Sequence, residues 1–278
     1  FRTRGAVGVG GYACGPTLRV WGSMGIPPLI REQNSYAGVT NKLLARHASC
    51  ICVAYDGMER FFPADKLVFT GNPVRQNLLD ETLSKDDAIR ALGLVPGKRT
   101  VLVVGGSLGA RTLNESMLGN LPLLRQQRSV QFVWQTGKYY SEEIAAELER
   151  RGKPANLVVT DFIADMRQAY AAADLVISRA GAGSISEFCL LGKPVILVPS
   201  PNVAEDHQTK NALALVQKEA ALYVSDADAR RTLLPLAVNT VTDHDKLETL
   251  AHNVKQLAKP HAAADIADRV IALAEAGR

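Results

Sequence analysis

The sequence predicts an α/β protein made of two Rossmann-like domains on parallel sheets, and three observations carry that expectation. Short apolar, β-branched runs alternate with helical segments along the whole chain, which is the pattern of parallel strands joined by right-handed crossovers. Three of those runs end in glycine-rich loops, at Gly8-Val9-Gly10-Gly11, Gly105-Gly106-Ser107-Leu108-Gly109 and Gly181-Ala182-Gly183-Ser184. The series breaks once, at Gly71-Asn72-Pro73-Val74-Arg75, where asparagine before proline is pushed out of the helical region and leaves an extended connector.

Taken in order, residues 6–9 read as a strand, and residues 16–24 as a helix with proline in its first turn and Gly25 at its end. Strands follow at 26–30, 50–54 and 67–69, with a helix at 37–48. The second series has helix 85–92, strand 100–104, helix 110–126, strand 131–135, helix 141–151, strand 157–160 and helix 165–173. The unit at 175–200 comes next: a strand to Ile177, a loop of small residues, a helix to Leu191, Gly192 at its C-terminus, and a strand opened by Pro194. A helix at 205–218, a strand at 221–224 and further helices complete the chain. The boundaries expected are a first domain of residues 1–75 plus a C-terminal helix at about 263–278, and a second of residues 76–262. The first domain is expected to be incomplete, because the chain opens on Phe1-Arg2-Thr3-Arg4 and enters a strand at once.

The 278 residues suffice for two domains, and 47% hydrophobic with 22% charged residues is ordinary globular composition. A net charge of +4 is too mild to argue for nucleic acid, though it suits an anionic membrane surface. No apolar run is long enough to span a bilayer. Cys14, Cys50, Cys52 and Cys189 read as free thiols, and Cys50 and Cys52 are expected to point to opposite faces of their strand.

The loop at 180–186 precedes a helix, so backbone N–H groups and the positive helix end can approach a phosphate there. No loop matches G-x-G-x-x-G in full, and no G-x-x-x-x-G-K-[ST] occurs, so the loops imply a phosphorylated ligand without naming it. Ser184-Ile185-Ser186-Glu187 fits a capping box, in which the glutamate closes the helix; the other reading gives Glu187 to a ribose diol. Asp206-His207-Gln208 reads first as a helix cap, and Arg75 either as a linker charge or as a donor to a ligand between the domains. Glu32-Gln33-Asn34 places three polar residues at a strand's carboxyl end. Asp226-x-Asp228 and Asp243-x-Asp245 have the spacing of a cation site but are expected to be helix caps away from the loops.

Read together, these segments resemble the MurG-type transferases of glycosyltransferase family 28, which add GlcNAc to lipid I. The match runs through Gly10-Gly11-Tyr12, Gly15-Pro16, Glu32-Gln33-Asn34, Ala37-Gly38 and Thr40-Asn41-Lys42. It continues through Gly71 to Arg75, Gly105-Gly106-Ser107, Gly109-Ala110-Arg111, Asp161-Phe162-Ile163 and Met166, and ends with Arg179, Gly181-Ala182, Ser186-Glu187, Gln208 and Asn211-Ala212. The resemblance implies a GT-B fold, two Rossmann-like parallel-sheet domains facing across a cleft. It implies UDP-GlcNAc as donor, with the Ile163 backbone on the uracil, Glu187 on the ribose, and Ser107 with Ala182, Gly183, Ser184, Ile185 and Ser186 around the diphosphate. Gln208 would contact the sugar, with Asn34 and Arg75 closing from the other domain.

The implied reaction is one inverting displacement by the MurNAc C4 hydroxyl of lipid I, forming lipid II at the cytoplasmic face of the membrane, with no cofactor and no obligatory metal. Four positions depart from the family pattern: Cys14, Arg31, Leu108 and His207. The family's histidine-bearing first loop, with the expected general base, would precede Phe1. Two rivals share part of this reading. A UDP-GlcNAc 2-epimerase would release UDP-ManNAc instead of a disaccharide, and a non-catalytic nucleotide-sugar-binding protein would bind the donor alone.

Overall fold

The computed structural model describes residues 3–79 and 82–276. Its first sheet has four parallel strands in the order β1-β2-β3-β4: β1 (Ala6–Gly8), β2 (Pro28–Glu32), β3 (Cys50–Val53) and β4 (Leu67–Phe69). Helices α1 (Cys14–Ser23) and α2 (Val39–Leu44) cross over between the first three. The second sheet has six parallel strands in the order β10-β9-β8-β5-β6-β7. These are β5 (Arg99–Val104), β6 (Val130–Gln135), β7 (Leu157–Thr160), β8 (Leu175–Ser178), β9 (Val195–Leu197) and β10 (Leu222–Tyr223). Its crossovers are α4 (Arg111–Gly119) with α5 (Leu121–Gln126), α6 (Ser141–Arg151), α7 (Met166–Ala172), α8 (Ala182–Leu191) and α9 (His207–Val216). Helix α3 (Lys85–Ala91) precedes this sheet, and α10 (Ala229–Thr242), α11 (His244–Gln256) and α12 (Ala262–Ala276) follow it.

Strand β5 shows why the second sheet is buried on both faces. Leu102 and Val104 enter one core with Val133, Val176 and Phe188, while Val101 and Val103 enter the other with Phe132, Trp134 and Ile177. Continuous apolar strands of this kind need helices on both sides, and each fully buried large side chain contributes roughly 1.5–3 kcal/mol. The first sheet has a thinner core. Ile30, Ile51 and Val53 pack under α1 and α2, and the opposite face carries Leu29, Cys50, Cys52 and Val68. Ile266, Val270 and Leu273, spaced along one stripe of α12, cover that opposite face.

Two expectations fail here. Cys50 and Cys52 share a face, because strand side chains repeat every two residues and not every one. The neighbouring Cys50 thiol together with burial pushes the Cys52 thiol up. The single helix expected at 110–126 is two, α4 and α5, broken at Asn120. Pro122 stands in the first turn of α5, where its missing N–H costs least.

Candidate functional site

The strand order places a topological switch between β5 and β8, where neighbouring crossovers leave to opposite sides and a crevice opens at the carboxyl ends. The loops after these two strands are the glycine loops at 105–109 and 180–183, and their glycines answer to different needs. A Cβ on Gly105 would stand 2.5 Å from the Ala110 nitrogen, and one on Gly109 2.1 Å from the Thr136 carbonyl oxygen, with φ at +80°. Close packing and turn geometry account for both. Gly181 has φ −70° and ψ 141°, open to any residue, and a Cβ on Gly181 or Gly183 meets nothing within 4 Å. Neither packing nor backbone geometry requires glycine there. The space over the head of α8 is open, with the first N–H groups of a ten-residue helix facing it.

The capping box is not formed. Helix α8 starts at Ala182, so Ser184 and Glu187 lie inside it, and no side chain caps the terminus. The Ser186 hydroxyl donates back to the Ala182 carbonyl at 2.9 Å and accepts from Asn72 Nδ2 at 3.1 Å, so it ties α8 to the connector. Ala182 and Ile185 are buried, Ile185 within the core, while Gly183 is exposed. Glu187, freed from capping, takes the Tyr170 hydroxyl on Oε2 at 2.7 Å and Arg75 on Oε1 at 3.1 Å. Of the two readings of Arg75, the linker charge fails: it reaches from the connector to a carboxylate on the second sheet's side.

Beside the α8 head lies a hollow of about 650 Å³ lined by Gly106, Arg111, Arg179, Ser184, Gln208 and Asp226, among others. Gln208 spends its carboxamide oxygen on the Ala180 and Ser200 N–H groups, at 3.2 and 2.9 Å. That bonding fixes two loops and leaves its NH₂ as the group it can offer a ligand. Asp226 is not a cap remote from the loops. It follows β10 on the same edge as the other strand ends, pairs with Arg179 at 2.5 Å, and accepts from the Thr112 hydroxyl at 2.9 Å. Asp228 takes the N-cap position of α10 without a side-chain cap bond, whereas Asp243 does cap α11 through the Lys246 N–H. Asp206 fails as a cap too. It and Glu205 have left-handed backbones, φ 51° and 54°, so α9 begins only at His207. Strain of this kind costs of order 1–3 kcal/mol per residue and gathers at functional loops.

Across the cleft, Asn34 accepts from Asn211 Nδ2 at 3.0 Å, and the Ser35 N–H donates to Asn211 Oδ1 at 2.8 Å. Asn211 is fully buried and also donates to the Ala180 carbonyl, so one side chain joins the β2 loop to the β8 loop. Ile163 is 8% exposed with its side chain in the core, which leaves only its backbone to a ligand. Ser107 is exposed at the tip of its loop. The structure therefore lines one hollow with Ser184 and Gln208, joins Asn34 to Asn211 and Arg75 to Glu187 between the two sheets, and gives Ile185 to the core and Ser186 to the connector.

A glycosyltransferase family 28 C-terminal domain model matches residues 100–270. The UDP-N-acetylglucosamine–N-acetylmuramyl-(pentapeptide) pyrophosphoryl-undecaprenol N-acetylglucosamine transferase of Bacteroides fragilis is 63% identical over 99% of this chain and 72% of its own length. The chain belongs to this transferase family. The enzyme of the same name from Cytophaga hutchinsonii is 50% identical over 98% of this chain and 72% of its own. Among solved structures, Acinetobacter baumannii MurG superposes with TM-score 0.78 at 34% identity, covering 96% of this chain and 74% of its own, so the fold is that of a GT-B enzyme. A UDP-N-acetylglucosamine 2-epimerase shares the fold alone, at TM-score 0.67 and 14% identity, over 96% of this chain and 71% of its own.

With the family in hand, the side chains that sequence reasoning left without a role stand out. Tyr170 and Asn211 bond to the predicted residues Glu187 and Asn34, and Arg179 and Asp226 form the floor of the hollow. Arg179 and Asn211 lie within the family's pattern, but nothing in the spacing of Tyr170 or Asp226 ties them to a loop that folds in from elsewhere. Among the described residues no group of three or more His, Cys, Asp or Glu could hold a metal ion.

Proposed function

We propose that the cleft between the two sheets is the donor site of the family's reaction, with residues 1–75 and the helix from about 263 forming the acceptor-side domain and residues 76–262 the domain that holds UDP-GlcNAc. As a member of the family, the chain is a transferase that moves GlcNAc from UDP-GlcNAc to lipid I, giving lipid II. Uridine lies between the Ile163 backbone and α8, its ribose diol on Glu187. The diphosphate lies over the open glycines at the head of α8, beside Ser107 and Ser184. Gln208 reaches the sugar with its NH₂, and Asn34 and Arg75 approach from the acceptor side.

The MurNAc C4 hydroxyl attacks the anomeric carbon from the face opposite UDP. The C1–O bond breaks, and its electron pair leaves with UDP. The hydroxyl proton passes to a general base. Charge growing on the diphosphate meets the α8 N–H groups, a fixed array that needs no reorganisation during the step, so no metal or cofactor is assigned a part. The observation that carries this reading is the open, glycine-lined head of α8 beside the Glu187 carboxylate.

We also place the chain at the cytoplasmic face of the membrane, where it serves cell-wall growth, cell shape and division. No helix of the described residues is long and apolar enough to cross a membrane. Val20, Met24 and Leu43 are exposed, and Tyr12, Arg19, Arg46 and His47 line a hollow next to them. An apolar patch rimmed by cations suits an anionic lipid surface.

Calorimetric titration in EDTA tests the donor site. UDP-GlcNAc and UDP should bind, and NADH should not. A folded chain that takes up no uridine nucleotide would overturn the assignment, and NADH binding would point to an oxidoreductase instead.

A further inference from the structure

Glu187 has two partners, and they differ in how firmly they are held. Arg75 comes from the connector with 56% of its side chain exposed, so its ion pair is easily exchanged. Tyr170 is 3% exposed on α7, and its ring stands edge-on to Phe188 at 5.9 Å and 89° within the core. The aromatic contact fixes the ring and so fixes where the hydroxyl points. Burial and the neighbouring Glu187 carboxylate both push the Tyr170 phenol well above its ordinary value, so it stays a proton donor throughout the physiological range. The carboxylate thus has one permanent donor on Oε2 and one replaceable partner on Oε1.

We propose that Tyr170 is a positioning residue for donor recognition: its hydroxyl locks the Glu187 carboxylate in the orientation that receives the ribose diol, while Arg75 is the partner the diol displaces. This rests on the reading of Glu187 as the ribose-binding group. A carboxylate oxygen has two lone pairs, so Oε2 can keep Tyr170 and still take one ribose hydroxyl, with Oε1 taking the other once Arg75 moves. Without the phenol, Glu187 keeps its charge and place in the helix but loses the bond that sets its rotamer. Recognition of the diol then weakens, and contacts to uracil and diphosphate do not.

The test is a set of calorimetric titrations of UDP and 2′-deoxy-UDP into the unsubstituted chain, Tyr170→Phe and Glu187→Gln, with thermal melting of each. The unsubstituted chain should prefer UDP by about tenfold, the scale of one hydrogen bond to a charged group. Tyr170→Phe should cut that preference to about threefold, with a smaller loss for 2′-deoxy-UDP, which keeps its 3′-hydroxyl, and Glu187→Gln should abolish it. Equal loss for both nucleotides in Tyr170→Phe, or no loss for either, overturns the positioning role while Glu187 keeps its own. If the unsubstituted chain does not distinguish the two nucleotides, the ribose reading of Glu187 falls, and the positioning role falls with it.

Discussion

Two glutamates border the cleft from opposite sheets, and their surroundings separate a carboxylate that holds the fold from one that holds a ligand. Glu32, at the end of β2, is 3% exposed and enclosed by its own domain. Its Oε1 accepts from the Asn34 N–H at 3.0 Å and from Asn34 Nδ2 at 3.4 Å, and its Oε2 from the Gly38 N–H at 2.9 Å and Asn41 Nδ2 at 2.8 Å. All four donors lie within nine residues, so the carboxylate acts as the core of its loop and shapes the segment that carries Asn34 across the cleft. Glu187 has one fixed donor and one exposed cation drawn from elsewhere in the chain. A saturated carboxylate has nothing to offer a ligand, whereas one whose second partner is exchangeable does.

That contrast breaks most visibly at Glu32. Glu32→Gln puts an NH₂ against donors that need an acceptor, and should lower stability by roughly 3 kcal/mol in urea unfolding. A loss under about 0.5 kcal/mol, the scale of ordinary surface substitutions, would put Glu32 in the same class as Glu187.

A third carboxylate sharpens the point at the amino ends of the central strands β5 and β8. Asp174 accepts from Lys85 at 2.5 Å, Arg99 at 2.9 Å and the Thr100 N–H at 2.8 Å. Burial pushes its carboxyl up, but these donors prevail and hold it below the ordinary value. A folded value below the unfolded one means its stabilisation is fully present above about pH 4 and fades as pH falls through the folded value. Asp174→Asn should therefore cost about 2 kcal/mol at neutral pH, and the gap to the unsubstituted chain should close in acid. A gap that widened in acid would contradict the assignment.

The smallest effect belongs to Arg75. Its exposed ion pair contributes at most about 1 kcal/mol, so Arg75→Ala should melt like the unsubstituted chain, and it should bind UDP-GlcNAc severalfold more weakly because the guanidinium, once displaced from Glu187, is the donor that closes on the ligand. A large drop in melting temperature would make the pair structural and blur the comparison with Glu32.

Much of this was legible in the sequence, because strand–loop–helix alternation is a local pattern. The parallel sheets, the loops after β5 and β8, and the left-handed Gly192 that ends α8 at φ +64° all come from neighbouring residues. What local pattern misled was the head of α8. Ser184 and Glu187 have capping-box spacing, but the helix starts two residues before Ser184, at Ala182 with Gly181 as cap, and Glu187 turns to partners 17 and 112 residues away. Asp226 misled for the same reason: its partners, Arg179 and Thr112, lie 47 and 114 residues off. Side-chain partnerships across such separations belong to the tertiary fold, which periodicity does not report.

The most direct measurement is the dissociation constant of UDP for Glu187→Gln beside that of the unsubstituted chain, with the melting temperature of both in hand. A ligand-facing Glu187 predicts at least about tenfold weaker binding, or about 1.4 kcal/mol, with melting changed by no more than a few degrees. Unchanged UDP affinity, or a variant that loses binding only because it unfolds, would contradict it and make Glu187 a second Glu32.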